Sequence, residues 1–556
     1  MAITAITIEN FKGIREPVRV ELKPITLLFG PNSAGKSTIV QALHYARELF
    51  ERQNVNPDKT QLGGDTIDLG GFESLVYNHD KTLSIRLAFE LDLANEDLPD
   101  YMNNLPDFAR KIVAEYDVSF QAAMAKITTA RVEVEVRWDS YHEQPYIVRY
   151  SVAVNDHDML EIIGSSDGLH INISKLNPKN PIFLGEDSSL EVEKKIHKFV
   201  EAADKKIVSS DTFEDQDLCE TGHLFPWLFF YLDLSKGMPG VSVPIILSGQ
   251  KSALPVWERA LQINGLLWDE GFDESEILNL IRLLSSLSVG PGELVRDGLR
   301  KLCYVGPLRE IPNRSHNPVT SPEEARWANG LAAYDTLFFS DDVFIDKVNE
   351  WLCHEDHLHS GYSVEVKKYR ELEIDNPFML AIVQNRVLDE DMDMRNALLS
   401  LPIKRRLLIR DEAGNIELAP QDIGVGISQV LPVVVAALYH KTGIVAIEQP
   451  ELHIHPAFQV ALGDLFIERI RQQPDLIFIL ETHSEHLMLR FLRRIRETGE
   501  NEAPKNRKLT PDDLSIYFIE KDEDGITCTP IRVDEDGDFI DRWPKGFFNE
   551  RVKERY

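Results

Sequence analysis

The sequence predicts an α/β fold with a mostly parallel core sheet, an antiparallel β lobe and a helical insertion. Three observations carry this. First, the apolar run Ile25-Thr26-Leu27-Leu28-Phe29 leads into Gly30-Pro31-Asn32-Ser33-Ala34-Gly35-Lys36-Ser37-Thr38. A helix-period segment follows, with Ile39, Leu43, Ala46 and Phe50. That is strand, G-x-x-x-x-G-K-S, helix. Second, residues 82–93, 131–138 and 146–154 alternate apolar and polar side chains, as half-buried strands do. Third, from about 155 to 300 polar loops separate helix-like segments such as 191–203 and 274–288.

The loop after the first apolar run has a specific physics. Its glycines let the backbone turn tightly, so successive N–H groups point inward at an anion. The helix that begins near Lys36 aims its positive end at the same place. In that setting Lys36 reaches β- and γ-phosphates and Ser37 ligates Mg²⁺. ATP and Mg²⁺ are therefore the expected ligands.

The bulk composition bounds the rest. At 556 residues the chain is long enough for two to four domains. No run approaches the ~20 apolar residues of a membrane span. The opening MAITAITIENFKGI alternates and reads as a strand, not a cleavable signal. Cys219, Cys303, Cys353 and Cys528 lie far apart, which fits a reducing cytoplasm and argues against a cysteine zinc knuckle. Sixty basic against 91 acidic residues give a net charge of −31. Such a surface repels nucleic acid over most of its area. Any contact with nucleic acid is then local, at Lys404-Arg405-Arg406 or at Arg490, Arg493, Arg494 and Arg496, or comes through a partner. Taken alone, each cluster reads as a solvated face.

In chain order, strands are expected at Ile3–Ile8, 18–22 and 25–29, then the loop and its helix to about 52. A helix is expected over 331–352 and strands over 362–369 and 379–386. No heptad pattern supports a coiled-coil arm. The domain reading is 1–154 and 301–500 as two parts of one head, 155–300 as a mainly helical insertion, and 501–556 as a last strand and aromatic tail.

Residues 405–490 hold the second informative block. Asp422-Ile423-Gly424-Val425-Gly426-Ile427-Ser428-Gln429 leads into an apolar helix, again glycines before a helix N-terminus. The strand Ile444–Ile447 delivers Glu448 at its carboxyl end, where a phosphate-loop ATPase places its Mg²⁺ carboxylate. The strand Leu476–Leu480 ends in Glu481-Thr482-His483-Ser484, and a His there can sense the γ-phosphate.

Together NFKGI, GPNSAGKST, DIGVGISQVLP, AIEQPELHIHP and ETHSEHL resemble the ATPases related to the ABC-type, SMC/RecF and OLD families. The resemblance implies an ABC/SMC-head-like phosphate-loop ATPase and an ATP-sandwiched dimer or higher oligomer. Gly424, Gly426, Ser428 and Gln429 would form the signature loop that reaches a partner's ATP, and His483 the switch histidine. Two departures matter. OLD nucleases carry a further TOPRIM domain, but only about 70 residues follow His483 here, so no nuclease site is expected in this chain. The ABC-type pattern also places a catalytic Glu directly after the Mg²⁺ ligand, and here that position is Gln449. Gln takes no proton from water at neutral pH. Glu451 is the substitute base; otherwise hydrolysis is slow.

The tail GDFIDRWPKGFF, residues 537–548, and YVGPLREIPNR, residues 304–314, resemble a bacterial ATPase subset found in anti-phage defence loci, such as the PtuA ATPases of Septu and retron systems. These work with a separate HNH nuclease. The resemblance implies a regulatory or sensor subunit that controls a partner nuclease, with HNH favoured. The competing reading is a RecF/SMC-like DNA-repair ATPase that clamps DNA while hydrolysing ATP. A third, a nuclease with its own metal site at 520–524 and 534–538, gives way to a solvated acidic hairpin. Cys353–His359 reads as an exposed polar helix end rather than a zinc site. His453 and His455 are expected to shape the dimer-facing loop.

Overall fold

The computed structural model describes residues 3–58, 60, 63, 67–101, 110–111, 117–177, 180–183, 245–263, 274–314, 317–320, 324–375, 379, 383 and 399–544. The chain divides into two compact units.

The first unit comprises residues 1–60, 67–302 and 515–530. Strand β1 (Ile3–Glu9) pairs antiparallel with β2 (Val18–Glu21) and with β4 (Ile85–Asp92). The sheet continues through β5 (Thr129–Asp139), β6 (Gln144–Val154), β7 (His157–Gly164), β8 (Ile171–Leu176), β9 (Ile245–Ser248) and β10 (Gln262–Ile263). Alternation drives it. Val132, Val134 and Val136 of β5 are buried on one face, while on the other Arg149 of β6 bonds Glu135 at 3.1 Å and pairs with Glu133. Helix α1 (Lys36–Arg52) packs on the long helix α2 (Glu274–Arg300), and α2 crosses β4 to β7. Tyr150 Oη donates to Ser288 O at 2.5 Å across that contact.

The mainly helical character expected for 155–300 does not hold over 157–176. There β7 and β8 extend the antiparallel sheet, with Leu160, Ile162, Ile171 and Ile173 buried by period-two alternation. The helix expected at 274–288 runs on to Arg300. The one expected at 191–203 lies outside the described residues. Strand β3 (Ile25–Phe29), buried at every residue, lies beside β17 (Leu514–Lys521), which pairs antiparallel with β18 (Ile526–Pro530).

The second unit comprises residues 61–66, 303–514 and 531–556. Strands β11 (Cys303–Val305), β15 (Gly443–Glu448) and β16 (Leu476–Glu481) form a parallel sheet in that order. Every residue of β15 and β16 is buried, which is why both read as unbroken apolar runs. Helix α5 (Val425–Tyr439) precedes β15, α6 (Pro456–Gln472) crosses from β15 to β16, and α7 (Glu485–Gly499) follows. Asp464 of α6 accepts from Arg490 at 2.9 Å and Arg494 at 2.8 Å on α7, and pairs with Arg507 at 3.1 Å.

A smaller antiparallel sheet joins β12 (Tyr362–Tyr369), β13 (Lys404–Asp411) and β14 (Ile416–Leu418). The single helix expected over 331–352 is two, α3 (Leu331–Phe339) and α4 (Asp342–Cys353). Ser340 leaves helical geometry, and the Asp341 side chain accepts from Phe344 N at 2.9 Å as the cap of the new helix. The strand expected at 379–386 lies outside the described residues except at 379 and 383, which are helical. Helix α4 ends at Cys353, and the His357 ring stacks on Trp351 with centroids 3.9 Å apart. Among the described residues no group of three or more His, Cys, Asp or Glu is placed to hold a metal ion. Among the same residues no helix is long and apolar enough to cross a membrane.

Candidate nucleotide-binding site

The loop residues gather in the first unit. Strand β3 ends at Gly30, where a Cβ would lie 2.1 Å from the Ile519 carbonyl oxygen of β17. Only glycine fits there. Pro31, Asn32 and Ser33 form an exposed rim, Ser33 with φ of 61°, and Ala34 turns inward. Gly35, with φ of 96°, is the N-cap of α1 and supplies no side-chain cap. The start of α1 is therefore not capped by the side chain of its N-cap residue, and Thr38 N donates to Gly35 O at 3.0 Å. Lys36 is buried, and its Nζ donates to Gly30 O at 3.1 Å and Pro31 O at 2.9 Å. Its ammonium is curled into the loop itself. Ser37 is half-buried and Thr38 buried on the first turn of α1.

The acidic residues gather in the second unit. Glu448 and Glu481 end the neighbouring parallel strands β15 and β16 in register, and both are buried. The carboxyl end of a parallel sheet is where open α/β folds place ligands. Gln449 follows Glu448 in a left-handed conformation, φ 46°, and its N–H donates to Glu481 O at 2.7 Å. That turn swings the chain back so that Glu451 Oε1 accepts from His483 N at 2.7 Å. Burial raises the Glu451 carboxyl above its ordinary value, against the His483 amide that favours its charged form. Its Oε2 is shielded from solvent and makes no hydrogen bond within normal geometry. Glu451 therefore holds the backbone of His483. Ser484, after it, caps α7 by accepting from Leu487 N at 2.9 Å.

Arg309 is a member of this group that the sequence reading passed over. It is only 3% exposed. Its Nη2 donates to Glu448 O at 2.7 Å and Gln449 O at 3.0 Å, and its Nη1 to Gln429 O at 3.1 Å. Gln429 Nε2 answers with a bond to Arg309 O at 2.7 Å. Burial lowers the guanidinium to about 10, with the Glu451 carboxylate acting the other way. Arg309 thus ties the start of α5 to the carboxyl end of β15. Its signal in the sequence was position: it closes the strand-and-turn YVGPLR, and β11 neighbours β15.

The expected signature residues divide. Gly424 is exposed, Gly426 half-buried, and Ser428 and Gln429 buried. Ser428 Oγ bonds Val425 O at 2.9 Å within its own helix. The outward part of this loop is therefore Gly424 to Gly426, including Val425 at 55% exposure. His455 caps α6, its Nδ1 accepting from Ala457 N at 3.2 Å, and His453 sits in a left-handed turn with φ of 61°. The structure thus brings Glu448, Gln449, Glu451 and His483 together in the second unit, and collects Gly30 to Thr38 in the first.

Three family descriptions match the chain. "AAA ATPase domain" matches residues 1–220. "AAA domain, putative AbiEii toxin, Type IV TA system" matches 313–489. A protein family of unknown function, DUF3696, matches 509–555. No curated protein matches. Among solved structures, the chain is similar to an SmcHead bound to the C-winged helix domain of ScpA, at 8% identity over 96% of this chain and 98% of that one, TM-score 0.37. It is also similar to the Pyrococcus furiosus Smc head domain with an extended coiled coil bound to the C-terminal domain of ScpA, at 11% identity over 96% and 97%, TM-score 0.36. The SMC head domain from Thermotoga maritima matches at 8% identity over 96% and 100%, TM-score 0.35. A likeness at this level carries no argument about mechanism. The two AAA descriptions fall on the stretch with the phosphate loop and the stretch with the acidic strand ends, and both support an ATPase of the AAA type.

Proposed function

We propose that this chain binds ATP with Mg²⁺, turns it over slowly, and serves as the regulatory subunit of a bacterial anti-phage defence complex. Its nucleotide state sets whether a partner nuclease, of HNH type, is held or released. The observation that carries the slow turnover is the use of the carboxylate next to the Mg²⁺ position. Gln449 replaces the usual base, and Glu451 is committed through Oε1 to the His483 amide. The second family description, with its putative toxin, supports a defence role.

In this reading Lys36 neutralises the phosphates, Ser37 and Glu448 supply Mg²⁺ ligands, and His483 reads the γ-phosphate. Mg²⁺, when bound, spreads the charge of the β- and γ-oxygens. Gly424 to Gly426 present exposed backbone to the ATP of a second copy. Arg309 carries the position of that loop to the strand end that bears Glu448 and Gln449.

The test is to incubate the purified chain with Mg²⁺ and ATP, isolate the complex, and identify the nucleotide retained. Intact ATP in a dimer or larger assembly supports a nucleotide-locked regulator. Rapid conversion to ADP, strongly stimulated by DNA, would instead favour a DNA-clamping repair ATPase.

A further inference from the structure

A cavity of about 560 Å³ opens in the second unit beside the start of α5. Its shape follows from where strand pairing stops. β14 pairs with β13 only at Ile409, Arg410 and Asp411. Pro420, with no N–H to donate, begins a short 3₁₀ turn soon after and takes the chain off the ladder. Among the described residues the edge of β13 from Lys404 to Leu408 has no strand partner on that side. Successive strand side chains leave opposite faces. Arg405 and Arg406 can line one cavity because it runs along the edge, not a face.

The cavity is cationic in a chain of net charge −31. Arg405 Nη1 donates to Phe338 O at 3.0 Å, and Arg406 lies over the Tyr369 ring at 5.4 Å. Neither pairs with a carboxylate among the described residues. Glu371, which feels Arg406, is taken by Lys404. Arg314, mostly exposed, adds a third guanidinium and reaches Asp422 at 3.5 Å. Gln421, oriented to satisfy both its amide atoms, accepts from Arg314 Nε at 3.0 Å. The lining also includes the apolar side chains of Phe338, Leu408, Pro312 and Pro318. Two adjacent arginines that form no ion pair among the described residues, in a cavity also lined by apolar side chains, suit a planar group that carries a phosphate. The volume lies within the ~300–1,000 Å³ of small-molecule sites.

We infer that this cavity is a binding site for a nucleotide-sized phosphate anion, distinct from the phosphate loop, and that its occupant regulates the signature loop. The regulatory part rests on the proposed function; the binding does not. Two contacts lead from the cavity to α5. Asp422, held by Arg314, lies two residues before Gly424. Tyr334, in the cavity wall, donates through Oη to Ser428 O at 3.3 Å. A phosphate that draws Arg314 away from Asp422 releases the entry to α5.

The probe is AMP, which lacks the β- and γ-phosphates that Lys36 would reach. Equilibrium dialysis of the full chain carrying Lys36→Ala should show saturable binding of one AMP per chain. Adding Arg405→Ala and Arg406→Ala should weaken it by roughly tenfold or more, the loss expected for charge-assisted contacts to phosphate. A ten-residue polyglutamate peptide at equal concentration should not displace it. Absence of saturable AMP binding overturns the inference, as does unchanged affinity without the two arginines. Displacement by the peptide also overturns it, in favour of an acidic strand docking on the β13 edge. Should the double substitution fail to fold, Arg406→Ala alone, at an exposed residue, carries the same comparison. AMP bound normally by a chain that retains no ATP would overturn the proposed function and leave this site standing.

Discussion

Arg309 and Gln429 exchange hydrogen bonds in both directions, Nη1 to Gln429 O at 3.1 Å and Gln429 Nε2 to Arg309 O at 2.7 Å. The pair makes one rigid joint between helix α5 and the strand that ends in Glu448. Removing the guanidinium takes a donor from three carbonyls, two of them, Gln429 O and Glu448 O, in buried contacts. Arg309→Ala should therefore cost about 3 kcal/mol or more, read from the denaturant midpoint of the transition that melts this unit. Arg309→Lys keeps the charge but not the fork. It should recover stability only in part, and an unchanged midpoint in both variants would remove Arg309 from the joint.

In the proposed function Gln449 sets the speed of turnover. Gln449→Glu restores a carboxylate beside Glu448, and general-base help is worth ~10²-fold or more. ATP consumption by the variant should rise by about that factor with ATP affinity little changed. Equal rates would mean that the base lies elsewhere. Loss of the wild-type rate in Glu451→Gln would then place it at Glu451.

The Glu451 carboxyl titrates against its burial. Its folded-state value lies above the ordinary 4.5, so folding favours the protonated form. Stability from this group is full below the ordinary value and is lost as pH rises through the raised one. Glu451→Gln removes that loss. Melts between pH 4.5 and about pH 8 should show the variant gaining on the wild type as pH climbs. A constant difference across the range would show that Glu451 does not titrate there.

Asp464 is the shared counter-ion of Arg490, Arg494 and Arg507. Burial works against its charge, but the Arg494 and Arg490 contacts prevail and hold its carboxyl below the ordinary carboxylate range. Asp464→Asn removes the carboxylate these guanidiniums share, leaving Arg494 with Glu497 and Arg507 with Glu468. The cost should be ~3–5 kcal/mol in a thermal or denaturant melt. Acid should act in the same direction, since stability from this group is present above the ordinary carboxylate value and lost as pH falls through the lowered one.

The sequence was legible where one local pattern decides the structure. Ile25 to Thr38 could be read as strand, loop and helix, because an unbroken apolar run, two glycines and a 3.6-residue period each point one way. Residues 157–176 were misread, although Leu160, Ile162, Ile171 and Ile173 alternate. The polar loop between them dominated the composition. The break between α3 and α4 was also present in principle, in Ser340-Asp341, a capping pair inside an apolar periodicity. Arg309 was out of reach for a different reason. Its partners lie 120 to 140 residues away, and nothing local distinguishes an arginine that bonds buried carbonyls from one on a surface turn.

One feature of the first unit bears on how the chain is made. The sheet flank that holds the phosphate loop is closed by β17 and β18, near the far end of the sequence. Tyr517 Oη accepts from Glu21 N across 496 residues, and Ser515 Oγ donates to Glu21 O across 494. Gly30 is shaped to admit Ile519. During synthesis the loop strand therefore waits with an unclosed edge until residues 514–530 have left the ribosome, and such edges invite wrong pairings. The strand that carries Gly30 thus gains its β17 neighbour only after residues 303–514 of the second unit have been made.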